Sequence, residues 1–253
     1  MGNATLAKLG FVLGSSIGLV GLSGVAFADE TPWDEAELFF ELNDTDGDLG
    51  IHANIDGGPW THLSIEDLNE RTILRIATRG RLRRQGMTQL EWESAEPPFD
   101  ELSPAEFFAR FPEGVYEIEG ITLEGEELES EVELSHVLAA PPGNITVNEQ
   151  PAAGSCDDPA LPQVALPVVV DWDEVTESHP TIGTPGVAVE ISRYQFFVER
   201  DDVKISVDLE SDVTEFPIPD AFLSEPGVWK YEIIARTEDG NNTAVETCFE
   251  LVE

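Results

Sequence analysis

Three aspartates spaced two residues apart, Asp44, Asp46 and Asp48, sit in the stretch ELNDTDGDLGIHANIDGG between Glu41 and Gly58. Carboxylates at that spacing can offer oxygens to a hard cation, of which Ca2+ takes about six to eight. Counted from Asp44, the acids fall on the first, third and fifth positions of an EF-hand loop and apolar Ile51 on the eighth. Leu49, however, replaces the turn glycine, and Ile55 replaces the closing bidentate glutamate, so an EF-hand is excluded. Two readings stay open. One is a looser calcium site made by Asp44, Asp46 and Asp48, and the other is a solvated Asp-Gly turn, which those residue types form on their own account.

A second cluster has the opposite sign. Arg71, Arg75, Arg79, Arg81, Arg83 and Arg84 hold six of the ten arginines, and guanidinium forks suit the anionic groups of an acidic glycan. The net charge is -38, from 51 Asp and Glu against 13 Lys and Arg. These arginines are therefore expected to neutralise glutamates within their own domain or at a self-association surface. The same charge excludes nucleic acid as a partner, because its phosphates are repelled. The eight glutamates from Glu117 to Glu133 read as a solvated sheet face that deters edge pairing.

Catalytic signatures are missing. There is no G-x-S-x-G, H-E-x-x-H or Walker loop, and His136 and His179 stand alone, so no catalytic residue and no certain cofactor are assigned. A hydrolase would need two carboxylates that meet only in the fold.

The first 28 residues have the layout of an export signal: Lys8, the apolar run from Leu9 to Leu22, and the small-residue site AFA before Asp29. Cleavage there leaves nothing for stable membrane insertion. Export also makes a disulfide the expected state of the only two cysteines, Cys156 and Cys248.

Period-two alternation of apolar residues predicts a mostly β protein. Leu38, Phe40 and Leu42 alternate with Glu37, Phe39 and Glu41, and Ile51, Ala53 and Ile55 follow the Asp-rich loop, giving two strands joined by that loop. The turn DGGP is expected to place Ile55 opposite Trp60 in a hairpin, with His52 pointing away from His62. A longer hairpin from Thr72 to Ser94 is expected to pair Leu74 with Trp92, Ile76 with Leu90 and Arg75 with Glu91. LSPAEFFARFP carries the signature of one short helix, with Ser103 as N-cap, Pro104 first, Glu106 completing a capping box and Pro112 ending it. LAAPPGN, from Leu138 to Asn144, reads as a short stiff linker. Two sandwich-like antiparallel β domains in tandem follow, residues 29–139 and 140–253.

The second block resembles a fibronectin type III module, an immunoglobulin-like sandwich. The resemblance is carried by VVVDWDEV with Trp172, by ISRYQFFVER with Tyr194, and by FLSEPGVWKYEIIARTEDGNNT. Trp229 stands where the family's corner tyrosine is expected. The loop that carries Arg-Gly-Asp in some adhesion modules reads TEDGNNT here, so no integrin-type role carries over. The resemblance implies a non-catalytic spacer or binding platform. The chain is thus expected to be an exported binding or adhesion protein of the cell envelope or extracellular space, with a protein or glycan ligand. A polysaccharide-binding accessory role would show exposed aromatics, with Trp33 and Trp60 as candidates.

Overall fold

The computed structural model describes residues 31–253; the export-signal stretch, residues 1–28, lies outside them. The first block contains β1 (Glu35–Asn43), β2 (Asp48–Glu66), β3 (Thr72–Ala77), α1 (Gly80–Gln85), β4 (Met87–Glu93), α2 (Pro104–Arg110), β5 (Gly114–Thr122) and β6 (Glu127–Leu134). The second contains β7 (Thr146–Val147), β8 (Gln150–Pro151), β9 (Gln163–Val164), β10 (Val168–Asp171), β11 (Ile191–Arg200), β12 (Val203–Glu210), β13 (Glu215–Ile218), β14 (Gly227–Thr237) and β15 (Asn242–Leu251). The protein is mostly β, as its alternation dictates.

The Asp-rich loop joins β1 to β2 as expected, with Leu38 opposite Ala53 and Phe40 opposite Ile51. The next two expected hairpins do not form. β2 continues through DGGP from Asp48 to Glu66, and its first half pairs with β1 and β4 while its second half pairs with β3 and β5. Ile55 therefore faces Leu90, and Trp60 faces Met87 and Thr122. At Gly57 β2 passes close to Trp33: a Cβ there would lie 2.9 Å from the indole. The backbone bends at this contact without reversing, because strands from elsewhere take the hydrogen bonds that a local hairpin would have used.

β3 and β4 likewise ignore each other and together retrace β2 in reverse. Leu74 faces Ile65, and Trp92 faces Ala53. Between them lies a second helix where only one was expected: α1 occupies the presumed hairpin tip, bracketed by Gly80 and Gly86 at φ +60° and +77°. Its Arg, Leu and Gln residues are good helix formers, and the two glycines supply the left-handed geometry that turns the chain in and out. Arg75 consequently pairs with Glu66 at 3.6 Å and not with Glu91, which faces Asn54. The other helix is as expected, with Ser103 and Glu106 forming a reciprocal capping box.

Two apolar cores form, one gathered around Phe40, Trp60 and Tyr116 and ending at Leu138, the other starting at Ala139 and gathered around Trp172, Phe196 and Tyr231. The second core lies between the strands β13-β10-β7-β8 and the strands β12-β11-β14-β15. The latter set does not end at β15. β15 pairs in parallel with β1, so one eleven-stranded sheet runs through both blocks. LAAPPGN is embedded accordingly: Leu138 and Ala139 are fully buried, and Ala139 bridges to Ser178.

Cys156 and Cys248 are joined across 92 residues of sequence. No helix among the described residues is long and apolar enough to cross a membrane.

Candidate binding groove

The parallel seam between β1 and β15 puts Glu41 opposite Asn242 and Leu42 opposite Thr243. Register then fixes which side chains share a face. Leu42 belongs to the first core, so Glu41 and Asn242 look to the opposite side, together with Phe39, His52, Asn54, Glu91 and Glu93. In the second block, β14 sends Tyr231, Ile233 and Ala235 into its core. It therefore sends Glu232, Ile234 and Arg236 to the same side as Glu41, opposite Phe197, Gln195 and Arg193 of β11. Both cores thus back onto one side of the continuous sheet. The other side carries an open groove of about 660 Å3, lined from β12 through β4.

The seam is held by groups that sequence reading left unassigned. Asn241, from the TEDGNNT loop, is fully buried. Its Oδ1 accepts from the Phe40 amide at 2.8 Å, and its Nδ2 donates to the Ser135 and Val137 carbonyls at 2.8 and 2.9 Å. One acceptor and two donors are all used, which a carboxylate or an aliphatic side chain could not do. The loop is therefore a plug between the two regions and not a free adhesive tip. Arg236 bonds Glu37 at 2.8 Å and lies over the Phe39 ring at 4.8 Å, while Asn242 donates to Glu41 at 2.8 Å. Nothing local marks these partners. Their sequence separation of about two hundred residues is visible only once β1 meets β15.

The groove has a buried apolar floor at Phe39 and Ile234, with Phe39 stacked on His52. Its rim carries both signs: Glu41, Glu91, Glu93 and Glu232 against Arg193, Lys204 and Arg236. Burial, then the neighbouring Glu41 and Glu246, push the Glu232 carboxyl up to about 7. Burial opposes charging His52, but its 2.8 Å hydrogen bond to Glu96 and nearby Glu41 prevail and raise its pKa.

The three aspartates are not gathered into a cage. Asp44 accepts from His179 Nε2 at 3.0 Å across the seam, and Asn43 Oδ1 takes the Thr45 and Asp46 amides at 3.1 Å in an Asx-type turn that Gly47 closes at φ +68°. Asp48 points to the groove side of β2, where burial, then Glu96 and Asp46, lift it to about 6. Among the described residues no three metal-ligating side chains converge. His136 is likewise taken up locally, its Nε2 2.8 Å from the Phe111 carbonyl.

Trp33 and Trp60, the candidate sugar platforms, are core residues at 5% and 0% exposure and pack edge to face. No aromatic side chain is among the exposed large hydrophobics of the described residues. An indole ring gives most stabilisation when buried, and both tryptophans belong to the first core. The arginines of α1 also depart from expectation: Arg79, Arg81, Arg83 and Arg84 are exposed and have no ion-pair partner among the described residues.

No known protein family matches the chain, and no curated protein is similar to it. Solved structures resemble it distantly. A 1.5-MDa bacterial ice-binding adhesin matches at 11% identity and TM-score 0.25, covering 88% of this chain and 65% of that one. The 47-kilodalton lipoprotein of Treponema pallidum matches at 11% and 0.33, covering 92% and 53%. A Ca2+-stabilised adhesin with which an Antarctic bacterium binds ice matches at 11% and 0.27, covering 88% and 50%. The chain spans about half to two thirds of the length of these structures, and at such TM-scores no argument about function rests on them.

Proposed function

We propose that the protein is an exported, non-catalytic binding or adhesion protein whose ligand lies along the groove shared by its two regions. The observation that carries this reading is the continuity of the sheet: seven strands from both blocks line one open groove of about 660 Å3 with a buried apolar floor and a polar rim of both signs. The order β13-β10-β7 against β12-β11-β14-β15 supports the type III reading of the second block. With Trp33 and Trp60 in the core, the rings that line this groove are Phe39, Trp92 and Phe197, and a glycan there is held by them together with amides and charged groups.

The test is retention of purified protein on arrays of soluble glycans and extracellular proteins. Gln195→Trp with Ser206→Trp fills the groove and should reduce retention at least about tenfold while thermal unfolding is unchanged. Retention that survives the filled groove overturns the assignment. A hydrolase reading is favoured by one observation, that Glu41 and Glu232 share the groove while Glu232 is lifted to about 7. Release of reducing ends that is lost in Glu232→Gln, with binding kept, would put that reading first.

A further inference from the structure

Among the described residues the four arginines at α1 have no ion-pair partner, in a chain dominated by acids. α1 buries none of its residues, and Leu82 at its middle is 47% exposed. Leu123, also exposed, lies against Gly86 at the end of the same helix. The tip is thus a small apolar patch ringed by Arg79, Arg81, Arg83 and Arg84.

The reverse imbalance occurs elsewhere on the same region. Glu66, Glu117 and Glu131 lie directly across from one another on β2, β5 and β6. Like charges in that position destabilise a sheet. Of the three, only Glu66 has an ion-pair partner among the described residues, Arg75. One copy cannot bring the two features together. Leu123, just past the end of β5, borders α1, whereas Glu117 lies six residues back in the chain on β5, roughly 20 Å at about 3.3 Å per residue and well beyond the ~8 Å screening length at physiological salt.

We propose that the α1 tip docks on Glu117 of β5 and Glu131 of β6 in a second copy of this chain. The complement to the tip is a rigid strand pair of the correct sign, carried by the chain itself. The contact joins two different surfaces, so it propagates head to tail and does not close into a pair. Screening confines the mutual repulsion of two acidic copies to short range, and Leu82 and Leu123 add an apolar centre that salt does not weaken.

Sedimentation velocity of the purified protein at about 0.15 M salt tests this, where the screening length is about 8 Å. The parent should associate with increasing concentration. Arg81→Glu/Arg83→Glu/Arg84→Glu and, separately, Glu117→Arg/Glu131→Arg should each weaken association at least about tenfold, with circular dichroism unchanged. An equimolar mixture of the two variants should associate again, because the acidic tip of one now meets the basic row of the other. A parent that stays monomeric at every concentration, association that survives both reversals, or a mixture that stays dissociated overturns the proposal. So does arginine-dependent flotation with phosphatidylglycerol vesicles by a protein that does not self-associate, since the tip's partner would then be a lipid surface.

Discussion

Tyr116 in the first region and Trp229 in the second occupy the same kind of corner. Each follows a Gly-Val pair, in FPEGVY and SEPGVW, and the two glycines open β5 and β14 at φ +142° and +135°. The Tyr116 hydroxyl donates to the Pro112 carbonyl at 3.0 Å, and the Trp229 indole N–H donates to the Glu225 carbonyl at 3.3 Å, each four residues upstream. Val115 and Val228 beside them are both exposed. The indole thus makes a bond equivalent to the phenol's, although it lacks a hydroxyl. What differs is closure. The second region is tied by Cys156–Cys248, and the first has no covalent tie but one 19-residue strand, β2, shared between its two pairs of partners. A common corner does not require a common way of closing the fold.

The largest break in this comparison comes from the disulfide. Its removal in Cys156→Ala/Cys248→Ala should destabilise the second region by about 4.6 kcal/mol in the chain-entropy account of a loop of this length. Hydrogen exchange should report the loss on β10 and β15 while β2 and β5 stay protected at their own level. Equal loss in both regions would mean that they unfold as one unit.

Asn241→Ala should come next, at about 2–4 kcal/mol, because it strands the Phe40 amide and two carbonyls away from water. Since these bonds join the regions, calorimetry should separate their transitions further in the variant than in the parent. A single transition shifted by less than about 0.5 kcal/mol would show the plug to be dispensable.

The seam should also respond to pH. Asp48 and Glu232 are raised from 3.8 and 4.5 to about 6 and about 7, so the folded chain keeps protons that the unfolded chain has released. Stability therefore falls as pH rises through about 4 to 7, and raised His52 acts in the same direction. Acidifying from about pH 8 to pH 5 should stabilise by about 1–3 kcal/mol, a figure that already discounts the solvent screening of Asp48. In Glu232→Gln most of this slope should vanish, whereas Glu124→Gln on an exposed turn should leave it intact. A slope that is the same in both variants would assign the effect to net charge alone.

The smallest effect sharpens the comparison. Tyr116→Phe should cost about 1 kcal/mol by losing one hydrogen bond. Trp229→Tyr should cost less than about 2 kcal/mol if a phenol can resume the corner role, and chemical denaturation would check both. A much greater cost at Trp229 would show that ring volume against Phe222 and Arg200 matters there more than the bond.

Local chemistry in the sequence determined the features whose partners are near in the chain. The alternation of Leu38 through Ile55, the loop that joins those two strands, and the Ser103–Glu106 capping box all formed where they were read. The corner at Tyr116 went unread, although the sequence carries two copies of Gly-Val-aromatic after proline. The Thr72–Ser94 segment shows where this stops. Its hairpin register satisfied both faces on paper, yet β2 offered β3 and β4 longer and more apolar partners, and period-two patterning cannot say which strand a strand will choose. The groove was hidden for the same reason. It exists only because β1 meets β15 in parallel about two hundred residues away, a pairing with no turn to announce it and decided by the burial of Asn241 and the closure of two cores on one side of a shared sheet.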